Sequence, residues 1–388
     1  MSATILRNAQ LHITSEEFRN EDVLAIRDHR IIPMDPMLLE DGTSEELDLS
    51  GLHLCPGFVD LLVNGCAGVN FNNDLSVDCL EQMRRWQSGR GTTTFVPTLI
   101  SSSRESTTRA FASVAEFKDK HPSVCPGLHM EGPYISSLHK GFHPTGFIRS
   151  MTDADIEYIR ENAELIAYMT IAPESVRPKQ LMDLLGSRIR LSLGHTACTY
   201  LEAANCFKAG VQNVTHVYNA MRGMVGREPG LIGAMLASER VTVSVIPDGR
   251  HVHPAIIRFL HKVLGDRLYI VSDAQGVAGM QRQPTSFAVG GNEIFVDAKR
   301  GLIDSKGSLA GTSICMLDGV KFLVEHCGYT LDDALKAATS TPASVLGLKE
   351  YGRIEGGFIA DMVAFDDDFK IHYVIQNGFI KNSAELFV

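Results

Sequence analysis

The sequence predicts an α/β fold: a (β/α)8 TIM-like barrel with a small β-sandwich domain formed by both chain termini. Three observations carry this expectation. Between residues 54 and 276 a short apolar run ending in polar residues recurs eight times, with helical stretches between the runs. No GxGxxG loop follows the first run, which disfavours an open doubly wound sheet. The two ends of the chain hold only short β-like runs with Gly turns.

Taken in order, residues 1–53 supply "ATILRNAQLHI" and "EDVLAIRDHRIIPM", which read as short strands. The barrel runs are then 54–65, 92–100, 124–135, 165–174, 188–197, 213–221, 241–252 and 268–276. Stretches such as "SVDCLEQMRRWQSG" and "HPAIIRFLHKVLG" separate them with helical spacing. Strand alternating with helix implies a parallel sheet. Residues 277–311 read as a β-hairpin insertion, 312–327 as a helix, and "TLDDALKAATSTPASVLG" as one more. Short β-like runs return over 351–388. The expected division is a small β-domain of 1–53 plus 345–388 and a barrel of 54–344.

The 388 residues carry a formal net charge of -10, so the surface offers nothing to a phosphate backbone and nucleic acid is disfavoured as a partner. No apolar run approaches the roughly 20 residues of a membrane span. "MSATILRNAQ" has no basic stretch followed by an apolar core, and the eight cysteines form no CxxC pair. A cytoplasmic location with free thiols is expected.

In a barrel of this type the chemistry sits at the carboxyl ends of the strands. Those ends hold Asp60, Asn64, Thr98, His129, Glu131, Lys140, His143, Glu174, His195, His216, Asn219, Asp248, His251 and Asp273. Two imidazoles, His195 and His216, with the Glu131 carboxylate make a donor set suited to one divalent ion with an open position. For any one histidine a hydrogen-bonded structural role is the simpler reading, and the set as a group favours metal. Asp273 follows the apolar run "LYIV", where it serves either as a helix cap or as the acid-base group of the site. A Ser or Cys nucleophile is disfavoured because no GxSxG elbow is present. The loop "YNAMRGMVGREPG" brings Asn219, Arg222 and Arg227, an anion site or a solvated loop.

The ordered motifs "PGFVDLLVNGCAGVNF", "GLHMEGPYISSLHKGFH", "IAPE", "LGHTA", "THVYNAM", "GREPGLIGA", "PDGRHV", "SDA" and "GSLAGTS" resemble the N-acetylglucosamine-6-phosphate deacetylase family of the amidohydrolase superfamily, over essentially the whole chain. That resemblance implies hydrolysis of the acetamide of N-acetyl-D-glucosamine 6-phosphate in amino-sugar catabolism. It implies Glu131, His195 and His216 as ligands of one divalent ion, zinc first, with iron, cobalt, manganese or nickel as alternatives. It implies Asp273 as base and then acid, and His143 as the group polarising the carbonyl. Substrate contacts are implied for Phe142, His143, Asn219, Ala220, Arg227, Asp248, Gly249, Arg250, His251, Leu309, Ala310 and Gly311. A homodimer is implied, its phosphate site completed by the neighbouring subunit. One departure stands out: the His-x-His pair common at the end of strand one is replaced by Asp60-Leu61-Leu62, which favours a single metal. The alternatives are the galactosamine epimer as substrate, another amidohydrolase, and a non-catalytic sugar-phosphate binding protein.

Overall fold

The computed structural model describes residues 3–18, 23–35, 37–40 and 44–382. Strands β1 (Phe58–Val63), β2 (Thr92–Leu99), β3 (Leu128–Glu131), β4 (Ile166–Ile171), β5 (Arg190–Leu193), β6 (Asn213–Val214), β7 (Thr242–Val245) and β8 (Leu268–Ile270) form one parallel sheet in chain order. β1 and β2 are buried at every residue, as expected of strands covered on both faces. Helices such as Val77–Gly89, Arg104–Lys120, Tyr200–Ala209 and Pro254–Leu264 pack outside. Ser76, Ser103 and Thr199 cap the first three of these by accepting from backbone N–H groups of the first turn.

The barrel closes between β1 and the residues just after β8. Asp273 N–H donates to the Leu62 carbonyl at 3.0 Å, and the N–H groups of Asn64 and Gly65 donate to the Ala274 carbonyl at 2.9 and 3.0 Å. Ser272 N–H donates to the Asp60 carboxylate at 3.2 Å. A further segment joins this seam: Thr312 N–H donates to the Asp273 carbonyl at 2.8 Å. Gly311 makes that approach possible, because a Cβ there would lie 2.7 Å from the Asp273 carbonyl oxygen, and its φ is +74°.

The lumen is polar below the rim. His129 contacts the Thr98 and Thr170 hydroxyls at 3.3 and 2.8 Å. Thr170 contacts Thr215, and Thr215 contacts Ser192. Beneath this belt Tyr168 and Tyr269 share a hydrogen bond of 3.0 Å among Val59, Leu61, Val96 and Ile246.

The termini form two sheets. Four strands from the first 48 residues make one, ordered Arg30–Ile32, Val23–Arg27, Thr4–Arg7 and Glu45–Asp48. The other mixes both ends: Gln10–Leu11, His53–Pro56, Met362–Phe365, Ile371–Gln376 and Phe379–Asn382. Leu6, Phe18, Leu24, Ile31, Leu54, Met362 and Ile375 pack together between them.

Two elements differ from expectation. The insertion after β8 is a three-stranded antiparallel sheet, Ser286–Val289, Asn292–Asp297 and Gly301–Asp304, where a hairpin was expected. The stretch after residue 330 is two helices, Leu331–Ala338 and Ser340–Leu346, broken at Thr339. Pro342 accounts for the break: it has no N–H to donate, and in an unbroken helix its ring would collide with the Ala338 carbonyl.

Asp361 is buried at the start of the strand Met362–Phe365, with one oxygen bonded to Asn377 N–H at 2.6 Å and the other without a partner. Burial pushes its carboxyl up to about 7. The folded state therefore binds a proton that the unfolded state, with an ordinary carboxyl near 3.9, has lost. Stability contributed by that proton is full below about pH 4 and declines as pH rises towards 7. Asp361→Asn is expected to flatten this slope, read as the difference in Tm between variant and wild type across pH 4 to 8. Parallel Tm profiles would contradict it.

Candidate active site

The rim residues arrive from three of the eight strands. Glu131 ends β3, His195 follows β5 and His216 follows β6. His195 has φ 48°, His216 φ 31° and Asp273 φ 49°. Each side chain thus leaves its strand through the left-handed region, which L-residues other than Gly, Asn and Asp rarely adopt. Such strain concentrates where surrounding structure fixes a functional group. Local bonds hold these turns: Glu174 accepts from the Thr196 hydroxyl and Ala197 N–H, and the Ser244 hydroxyl accepts from His216 N–H at 2.8 Å.

Glu131 Oε1 lies 3.2 Å from His195 Nε2 and 3.0 Å from His216 Nε2, and the two nitrogens are 3.1 Å apart. Three lone-pair atoms thus form a nearly equilateral triangle. With metal–ligand distances of about 2.0–2.2 Å, the donor atoms of a tetrahedral zinc site sit roughly 3.3 Å apart, so the triangle fits an ion seated just off its plane. His195 Nδ1 lies 3.0 Å from the His139 carbonyl, which only accepts, so that nitrogen carries the proton and Nε2 is free to ligate. Burial pushes His195 down to about 4, so it stays neutral. Burial alone would raise Glu131, but the rings of His143, His195 and His216 packed around it hold it well below the ordinary range. Among the described residues this is the one group of three such side chains whose ligand atoms converge.

A cavity of about 330 Å³ opens above the triangle, lined by Glu131, His195, His216, Asp273, Phe142, Asn219, Ala220, His251, Leu309 and Gly311. Leu138, His139, Gly141, Tyr218, Ile246 and Ser308 complete it and were not expected. His139 and Gly141 sit in the "SSLHKGFH" motif and Tyr218 beside Asn219, which is the signal that marked them. Burial and the neighbouring Glu131 charge raise Asp273 well above the ordinary carboxylate range, opposed by a hydrogen bond from Asn64 at 2.7 Å.

Other expected residues stand further back. Asp248 and Gly249 form a turn behind His251: the Asp248 carboxylate accepts from Arg250 N–H and His251 N–H and contacts His251 Nδ1 at 2.8 Å. Arg250 packs over Gly301, and Ala310 is buried with its N–H on the Leu302 carbonyl. Arg227 is exposed on the loop between β6 and β7. His143 lies fully buried behind the triangle and does not line the cavity. Its Nδ1 accepts from Ser101 N–H at 3.2 Å, leaving Nε2 to face Glu131 Oε2 at 3.5 Å. A larger hollow of about 530 Å³, around Arg84, His121 and Gln376, contains none of the rim residues.

Residues 53–381 match the model of the amidohydrolase family. The chain belongs to the amidohydrolase family. Among its amidohydrolase relatives, the N-acetylglucosamine-6-phosphate deacetylase of Haemophilus influenzae is 35% identical, covering 88% of this chain and 89% of the relative. The N-acetylgalactosamine-6-phosphate deacetylase of a Shewanella species is 34% identical, over 86% and 84%. The solved structure of N-acetylglucosamine-6-phosphate deacetylase from Pasteurella multocida superposes with a TM-score of 0.91 at 34% identity, over 98% of this chain and 100% of that one. As an amidohydrolase the protein is a hydrolase, and it has a place for a metal ion.

Removing one corner of the triangle leaves two donors. His195→Ala is expected to lower bound metal from about one equivalent to below a tenth after dialysis, measured by plasma mass spectrometry. Retention of a full equivalent would place the metal elsewhere.

Proposed function

We propose that this amidohydrolase removes the acetyl group of N-acetyl-D-glucosamine 6-phosphate, giving D-glucosamine 6-phosphate and acetate, with one zinc ion as cofactor. The observation that carries the reading is the triangle of Glu131, His195 and His216 facing the same cavity as Asp273. Similarity to the N-acetylglucosamine-6-phosphate deacetylases of Haemophilus influenzae and Pasteurella multocida supports this substrate. A divalent ion at the triangle supplies Lewis-acid polarisation and lowers the pKa of a nearby water.

The chain's own groups do the rest. Asp273 takes a proton from the attacking water as the new C–O bond forms at the acetamide carbon. It then gives that proton to the nitrogen as the C–N bond breaks, so one carboxyl serves as base and then acid. His143, fixed by Ser101, aims its Nε2–H at Glu131 and acts by holding that carboxylate, one layer behind the substrate. His251, oriented by Asp248, faces the cavity with Asn219 and Ala220 and suits the phosphate end of the sugar. Phe142, Leu309 and Gly311 form walls.

Arg227 supports a homodimer in this reading. It stands outside the cavity on a loop whose Met224 and Val225 are 49% and 58% exposed, with Leu138 exposed near the cavity mouth. Pairing of two subunits would cover these apolar groups and bring an arginine to the neighbour's phosphate. The two terminal sheets with their own core support a division close to a small β-domain, 1–53 plus 345–388, and a catalytic barrel, 54–344, with the first boundary moved past Pro56 because the strand His53–Pro56 pairs in the terminal sheet.

Relatives of both epimer names match at nearly equal identity. Kinetics on N-acetylglucosamine 6-phosphate and N-acetylgalactosamine 6-phosphate, side by side, decide the substrate, with the gluco sugar expected to give the higher kcat/KM. Asp273→Asn is expected to keep the fold and the metal while acetate release falls by roughly 10²–10⁴-fold. Acetate release from neither sugar by metal-loaded wild type, with Asp273→Asn indistinguishable from it, would sink the reading.

A further inference from the structure

We propose that Asn64 is a positioning residue for the proposed hydrolysis: with Asn72 it forms a one-directional amide relay that occupies Oδ1 of Asp273 and leaves Oδ2 to take and return the proton. The inference rests on the reading of Asp273 as the proton carrier.

Asn64 is fully buried just past β1, and its amide lies 2.7 Å from Asp273 Oδ1. Which end of an asparagine amide is the donor follows from the groups around it. Here main-chain groups at the far end of the relay decide it. Ile100 N–H, which can only donate, lies 2.8 Å from Asn72 Oδ1. The Thr98 carbonyl, which can only accept, lies 3.2 Å from Asn72 Nδ2. Asn72 therefore turns its NH2 towards Asn64, and Asn64 Oδ1 accepts from it at 3.2 Å. The remaining end of Asn64 is its NH2, and that end meets Asp273.

Three hydrogen bonds thus run in one direction, from Ile100 N–H through both amides to the carboxylate, and each donor polarises the next. An oxygen that accepts from an NH2 group cannot itself carry a proton on that side. The proton then belongs on Oδ2, to which no described residue hydrogen-bonds, on a side chain that lines the cavity. The barrel seam does not need this amide: the backbone N–H of Asn64 already donates to the Ala274 carbonyl at 2.9 Å, whatever side chain is present. The relay's role is to set the rotation of the carboxyl group and to choose its working oxygen.

Two variants test this. Asn64→Leu removes the donor at similar volume and keeps the backbone bond of the seam. Asn72→Asp keeps the acceptor for Ile100 N–H and removes the donor to Asn64. Both are assayed at matched metal content on N-acetylglucosamine 6-phosphate and on its N-trifluoroacetyl analogue, whose more electrophilic carbonyl needs less proton-transfer assistance. The expected result is a kcat lower by about 100-fold for Asn64→Leu and about 10-fold for Asn72→Asp. KM should stay within about threefold, and the deficit should be smaller on the trifluoroacetyl substrate. Wild-type kcat in Asn64→Leu, a loss carried by KM, or an equal deficit on both substrates would overturn the relay. So would failure of both variants to fold, since the amides would then serve the fold. Wild-type enzyme inactive on both substrates would instead overturn the reading of the site beneath it.

Discussion

Closure of the barrel between β1 and the residues after β8 is the constraint on which the site depends. Backbone bonds from Asp273 to Leu62 and from Asn64 and Gly65 to Ala274 draw the last strand's end against the first. Without them Asp273 has no fixed place relative to Glu131, which sits two strands from β1. The seam also uses a side chain: the Asp60 carboxylate accepts from Ser272 and Leu62 N–H in a fully buried position. Burial pushes Asp60 up to about 6, a cost the two backbone donors only partly offset. Asp60 thus closes the barrel, while Asn64, four residues on, meets the reacting carboxylate.

The electrostatics of the rim follow from burial. Glu131, His195, His216, His143 and Asp273 are all buried, and a buried carboxylate needs a partner. His195, held neutral by burial, brings Glu131 no positive charge. A divalent cation held by Glu131, His195 and His216 would supply that charge and would also favour ionised Asp273, whose carboxyl is otherwise raised by burial and by Glu131. The threonine and serine belt in the lumen holds this arrangement from below, with Ser244 fixing the backbone of His216.

Much of this was legible in the sequence, because its signals were local. Eight apolar runs ending in polar residues marked the strands, and the rim position of Glu131, His195, His216 and Asp273 followed from strand order. What the sequence did not display were effects between distant segments. The fully buried station of His143 depends on Ser101, 42 residues earlier, and the contact of Asn64 with Asp273 spans 209 residues. The left-handed turns at His195 and His216 carry no Gly or Asn to announce them. Residues 213–221 read as one run, yet the strand is only Asn213–Val214, because the chain turns at once to present His216. The helix break at Thr339 was written in Pro342, where a continuous apolar rhythm masked it.

The central claim is that three side chains from three strands hold one metal beside Asp273. Anomalous diffraction from crystals of metal-loaded protein, recorded on both sides of the metal's absorption edge, tests it most directly. The account predicts one peak per chain, about 2.0–2.2 Å from Glu131, His195 and His216, with Asp273 facing its open side. A peak elsewhere, or two peaks of equal height flanking Asp273, would contradict it.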